Sequence, residues 1–187
     1  MKKITSILSI MAFTAVFSTS AFAQQTASAT TPATTTTIVA PITISNTTAL
    51  TFGSFATTSN SGTLIVGTDG GRTKTGGVTL TSNNVSGTAA NFTVGGEAGY
   101  SYAISIPTSL SLTTTATATG AGTPQASSQT MTVNSFLTSL ANESTRIGLL
   151  TGGTQSFTVG GTLNVNAYQS VGTYTSGTGL TVTVNYN

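Results

Sequence analysis

An all-β fold, an antiparallel β-sandwich, is what this sequence predicts, and three observations carry the prediction. From residue 38 to the end, short runs of Val, Ile, Thr, Phe and Tyr recur, with apolar residues alternating at period two. Paired glycines and asparagines separate most of these runs. Only residues 139–150 have a pattern that admits a short helix.

The chain opens on a different pattern. Lys2 and Lys3 precede an apolar run over residues 4–17, and Ala21-Phe22-Ala23 follows. A basic start, a short apolar stretch and a small-residue exit make a secretory signal peptide, cut after Ala23. Thr5, Ser6, Ser9 and Thr14 interrupt the run, and a membrane-spanning helix needs ~20 mainly apolar residues. Domain organisation is therefore expected to be 1–23 signal peptide, 24–37 flexible segment rich in Thr and Ala, and 38–187 a single domain. The mature chain would have no transmembrane segment.

Cleavage also resets the charge. The formal net charge of +2 includes Lys2 and Lys3. Without them Arg72, Lys74 and Arg146 balance Asp69, Glu97 and Glu143. Nucleic-acid binding needs clustered basic residues to displace counterions from phosphates, and this chain has no such cluster. Charged residues are 4% of the chain against roughly 25% in soluble domains. A surface made of hydroxyls and glycine sets little like-charge repulsion against the packing of many copies.

Histidine, cysteine and tryptophan are all absent from the sequence. That removes the usual zinc ligands, the Ser-His-Asp and Cys-His nucleophile systems and the commonest acid–base group near neutral pH. The three carboxylates could in principle pair, as in a glycosidase, but each has a plainer setting. Asp69 and Glu97 lie in glycine-rich turns, and Glu143 lies beside Arg146 in a polar segment. The chain is thus expected not to be an enzyme, and to have no catalytic residue, no metal site and no cofactor.

The elements follow in order. Residues 38–44 alternate Ile38, Ala40, Ile42 and Ile44 on one face, and Pro41, which cannot donate to a ladder, places this strand at an edge or at the start of one. Further strands are predicted over 50–55, 62–67, 78–81, 91–94, 100–106, 110–114, 131–136, 156–159, 162–167 and 180–186. Turns are expected at Asp69-Gly70-Gly71, Asn83-Asn84, Gly95-Gly96, Gly152-Gly153 and Gly160-Gly161, and a long loop over 115–128. The last strand has the clearest alternation, with Leu180, Val182, Val184 and Tyr186 on one face. Many short strands with close turn signals indicate an immunoglobulin-like antiparallel β-sandwich. Phe92-Thr93-Val94-Gly95-Gly96 recurs as Phe157-Thr158-Val159-Gly160-Gly161. This recurrence is either a pair of equivalent strand–turn units or shared turn chemistry.

Three features invite a functional reading. Residues 69–77 concentrate charge, as a contact loop or as a solvated hairpin loop. Tyr100, Tyr102, Tyr168, Tyr174 and Tyr186 could form a sugar-stacking platform or lie half-buried in strands. The edge strands are the third feature, because unpaired ladder groups accept a strand from another chain. Candidate strand-exchange residues are Ile38, Ala40, Ile42 and Ile44 at the start, with Leu180, Val182, Val184 and Tyr186 at the end. The first of these segments serves equally as the first strand of its own domain.

Several ordered motifs then carry a resemblance. They are Ala40-Pro41-Ile42-Thr43-Ile44, Leu50-Thr51-Phe52-Gly53, Gly76-Gly77-Val78-Thr79-Leu80, Phe92-Thr93-Val94-Gly95-Gly96, Met131-Thr132-Val133, Val159-Gly160-Gly161-Thr162-Leu163, Gly172-Thr173-Tyr174 and Val182-Thr183-Val184-Asn185-Tyr186. Together, over residues 39–187, they resemble an exported bacterial family catalogued as domain of unknown function number 4402. That family has no established activity, so the resemblance carries over no functional residue. Leu50, Phe52 and Gly53, with the ending from Gly172 and Tyr174 to Tyr186, are distantly similar to spore-coat-U-like subunits of archaic chaperone–usher pili. Those subunits usually contain cysteines, and this chain has none.

The expectation is a non-enzymatic structural protein, exported through the periplasm to the cell surface and assembling there as a fimbrial-type subunit by strand pairing. Its partners would be further copies of itself or other surface subunits, with a periplasmic chaperone as escort and no nucleic acid. The alternative is a monomeric surface adhesin or carbohydrate-binding module. A small outer-membrane barrel fits less well, since it needs ~10-residue strands and aromatic girdles.

Overall fold

Ten strands in two antiparallel sheets make up the domain seen in a computed structural model, which describes residues 28–81, 85–115 and 129–187. The expected signal peptide, the expected Asn83-Asn84 turn and nearly all of the expected 115–128 loop lie outside the described residues. Residues 28–37 form no strand and are exposed. The unit that follows runs from Ile38 to Asn187.

The strands are β1 (Thr43–Thr48), β2 (Phe55–Val66), β3 (Arg72–Leu80), β4 (Ala90–Gly95), β5 (Ser101–Ser105), β6 (Ser109–Thr113), β7 (Thr130–Thr138), β8 (Ile147–Leu149), β9 (Thr154–Val165) and β10 (Thr183–Tyr186). The seven-stranded sheet is organised around β9, which pairs with β2, β4 and β7. Beyond these lie β3, β1 and β6, each paired on one side only. The smaller sheet has the order β10-β5-β8.

Alternation explains most of the strands. In β4, Ala90, Phe92 and Val94 are buried and the residues between them are not. In β9 every odd position from Phe157 to Val165 is buried. The buried set draws on both sheets: Tyr102 and Ile104 of β5 join Val94, Val133, Phe157 and Leu163 in one apolar cluster.

Four expectations need correcting. Gly160-Gly161 is not a turn but the middle of β9. A Cβ on Gly160 would collide with the Val66 carbonyl oxygen, so glycine here lets β2 approach closely. Residues 139–150 form turns and the short strand β8, with no α-helix among the described residues. Arg146, at φ +51°, would break a helix there. Residues 50–54 are not a strand; Gly53, at φ +69°, bends the chain just before β2. The charged stretch 69–77 is a loop only to Gly71, because Arg72–Gly77 is already in β3 and Arg72–Gly76 is paired with β2.

The repeated pentapeptide has a specific placement. Phe92 and Phe157 are register partners on antiparallel strands, with ring centroids 5.6 Å apart and stacked. The two copies therefore run past each other, and only the first ends in a turn.

Candidate functional site

The three strands of the smaller sheet are short, and one part of the domain is left open as a cleft of about 1350 Å³. Its deepest residues come from the large sheet: Phe92 of β4, Met131 and Val133 of β7, and Leu163 of β9, all buried. Leu110 and Leu112 of β6 are half-buried and widen the apolar base. Two stretches supply most of the rest of the lining: residues 49–59, which run into β2, and residues 168–176 with Gly179 and Leu180, which precede β10. Among the described residues, no charged side chain lines the cleft.

The first stretch is held from outside. Thr51 and Thr88 exchange backbone hydrogen bonds at 2.9 Å each way, and Ser54 N donates to Val85 O at 3.0 Å. Arg72 Nη1 donates to Phe52 O at 3.2 Å and to Ser54 O at 3.1 Å, spanning the bend at Gly53. A Cβ on Gly53 would collide with the Val85 carbonyl oxygen, so the Phe52-Gly53 pair seen in the sequence is a fixed bend. Arg72 is thus a structural clasp rather than part of a contact loop.

The second stretch is held at a few points. Thr175 and Thr113 exchange backbone bonds at 2.9 and 3.0 Å, and Tyr168 N donates to Thr58 O. Gln169, 3% exposed, donates to Thr130 O and Tyr174 OH, and the Tyr174 hydroxyl donates to Ser170 O at 2.7 Å. Among the described residues, the backbone groups of 171–173 and 177–180 make no backbone-to-backbone hydrogen bond. The Ser170 hydroxyl is buried and has no hydrogen-bond partner. Chemically, the cleft pairs an uncharged apolar base with a border, residues 171–173, whose peptide groups make no backbone-to-backbone hydrogen bond. That combination suits an extended peptide, whose backbone needs partners as its side chains enter apolar space.

The residues singled out from sequence fall in different places. Ile38 is 93% exposed and lies in no strand. The first strand starts at Thr43, and Ile42 and Ile44 pack half-buried on their own core. Ala40 is tied at both backbone groups: its N–H donates to Glu97 Oε2 at 3.0 Å and its carbonyl accepts from Tyr186 OH at 2.6 Å. At the other end Val182 is buried, Val184 and Tyr186 are half-buried, and β10 begins at Thr183. Of these residues, Leu180 alone lines the cleft.

The five tyrosines do not form one platform either. Tyr102 is fully buried, and its hydroxyl donates to Gln155 Oε1 at 2.9 Å. Tyr100 and Tyr186 meet edge to face at 5.7 Å, while Tyr168 and Tyr174 line the cleft. The carboxylates serve local structure. Asp69 Oδ1 accepts from Gly71 N, and Glu143 Oε2 accepts from both the N–H and the hydroxyl of Thr138. No group of three or more potential metal-ligating side chains of the His, Cys, Asp and Glu types gathers among the described residues.

A family model described as Domain of unknown function (DUF4402) matches residues 42–186. The chain belongs to this family. No curated protein and no solved structure matches it. The DUF4402 match runs from the residue before β1 into the end of β10, so it includes every residue of the cleft and leaves out residues 28–41. Sequence reasoning missed Leu110, Leu112 and Met131 as cleft residues. Each reads as an ordinary strand residue until the tertiary structure places it at the cleft.

Proposed function

We propose that this chain is a non-enzymatic structural protein of the bacterial cell surface: an exported immunoglobulin-like β-sandwich that assembles by β-strand complementation, as pilus subunits do. The observation that carries this reading is the open cleft, where residues 171–173, whose backbone makes no backbone-to-backbone hydrogen bond, border an apolar base. An inserted strand would satisfy those backbone groups. Each aliphatic side chain that it buried fully would add roughly 1.5–3 kcal/mol. Such a subunit exposes apolar surface before assembly, which is the reason to expect a periplasmic chaperone on the way to the surface. The near absence of charge favours close packing of copies.

A second reading, a monomeric adhesin or carbohydrate-binding module, is favoured by Tyr168 and Tyr174 in the same cleft. One experiment separates the two. The cell-surface fraction is run in SDS, unheated and heated, and probed for this protein. Strand-complemented polymers give a ladder that collapses to one band on heating. A single monomer band in both lanes rules against kinetically stable polymers and favours the binding module.

A further inference from the structure

We infer that the strand completing the cleft is the run from Thr34 to Val39 of a second copy of this chain; the inference rests on the strand-complementation reading. Thr34, Thr35, Thr36, Thr37, Ile38 and Val39 are an unbroken β-branched run, the side-chain type with the strongest preference for a pleated sheet. No strand forms there, and residues 34–38 are exposed. High β-propensity, no charge, no proline and no glycine over such a length mark a segment ready to add to an open sheet. The domain holds the complementary defect, a cleft bordered by backbone without ladder partners.

Chemistry and length agree. The run is uncharged and so is the cleft lining, so insertion strands no charge in an apolar site. Ile38, 93% exposed, is the anchor. In an extended strand Thr34 and Thr36 share its face, so the anchor is flanked by two β-branched hydroxyl side chains and no charge. Residues 28–39 stretch to ~40 Å when extended, enough to lie along a neighbour's cleft with residues to spare. The same copy is a poor source. A reversal after the run falls at residues 40–42, where both backbone groups of Ala40 are engaged and Pro41 has a fixed φ. Ile42 and Ile44 are committed to their own core.

The test uses the mature chain, residues 24–187, purified without denaturant. Wild type is expected to form polymers that collapse on heating in SDS. Full-length Ile38→Asp is expected to keep the wild-type circular dichroism, because Ile38 touches no core, and to lower polymer yield at least about tenfold. A variant lacking 28–39 is expected to stay monomeric and to bind a synthetic 28–40 peptide, with the Ile38→Asp peptide at least about tenfold weaker. Polymers of unchanged yield from both variants would leave strand complementation standing and overturn this donor. Absence of polymers from wild type would overturn the complementation reading and the donor together.

Discussion

The Tyr186 hydroxyl donates to the Ala40 carbonyl at 2.6 Å, across 146 residues of sequence, and accepts from the Glu97 N–H at 2.7 Å. One phenol in the last strand therefore ties the chain entering the first strand to the turn between β4 and β5. Tyr100 packs its ring on the same phenol. Tyr186→Phe keeps the ring contact and removes both hydrogen bonds. At about 0.5–1.5 kcal/mol for each bond, the expected loss is ~1–2 kcal/mol in urea unfolding. Amide exchange would be faster at Ala40 and Glu97 and unchanged in β9. Exchange that rose equally everywhere would mean that the tie is global rather than local.

Gly53 and Arg72 set the first border of the cleft. Gly53→Ala forces a side chain into a left-handed backbone and against the Val85 carbonyl. A loss of at least ~2 kcal/mol is expected by denaturant titration. Arg72→Met keeps most of the apolar stem but leaves Phe52 O without its donor and Ser54 O with only the Thr81 hydroxyl at 3.4 Å. That costs about 1–3 kcal/mol. Because both changes act on one bend, the double variant should fall short of their sum.

Tyr102 gives the domain an alkaline limit. Burial pushes its phenol above the ordinary value of 10.0. The unfolded chain ionises near that ordinary value while the folded chain holds the proton. The contribution is therefore constant below pH 10 and is lost as pH rises towards the folded value. Tyr102→Phe should flatten this part of the stability–pH curve. At neutral pH it should cost ~1 kcal/mol for the bond to Gln155. Gln155 Oε1 keeps the Leu149 N–H. Urea midpoints from pH 8 to 11 check this, and an unchanged alkaline slope would refute it.

Much of this fold could be read from local pattern. Period-two alternation located β4, β5, β6 and β10, because there one face meets the core and the other does not. It failed where tertiary contact overrides local preference. Gly160-Gly161 looks like a turn but continues β9, since only glycine fits beside Val66. In β7 the buried positions shift from Met131 and Val133 to Phe136 and Thr138 at a bulge with Ser135 at φ +49°, which leaves Leu137 47% exposed. The cleft was illegible for a further reason: it is defined by what does not cover Leu110 and Leu112, and a sequence pattern records only which residues could be covered.

The last prediction concerns that uncovered base. Leu112 lies on β6, paired with Met131, and is half-buried at the cleft. In the free subunit, Leu112→Glu places its carboxylate where water reaches it, so the monomer should lose only ~1 kcal/mol. In a completed cleft the same carboxylate would be buried against an inserted strand, with no charged lining residue to pair with. An unpaired buried charge costs far more than a lost methyl contact. Leu112→Glu should therefore remain folded by circular dichroism while its polymer ladder disappears. Leu149→Glu is the matched control, since Leu149 is 51% exposed on β8 and lies outside the cleft. A ladder lost in both variants would trace the effect to added charge. A ladder kept by Leu112→Glu would move the assembly contact away from the cleft.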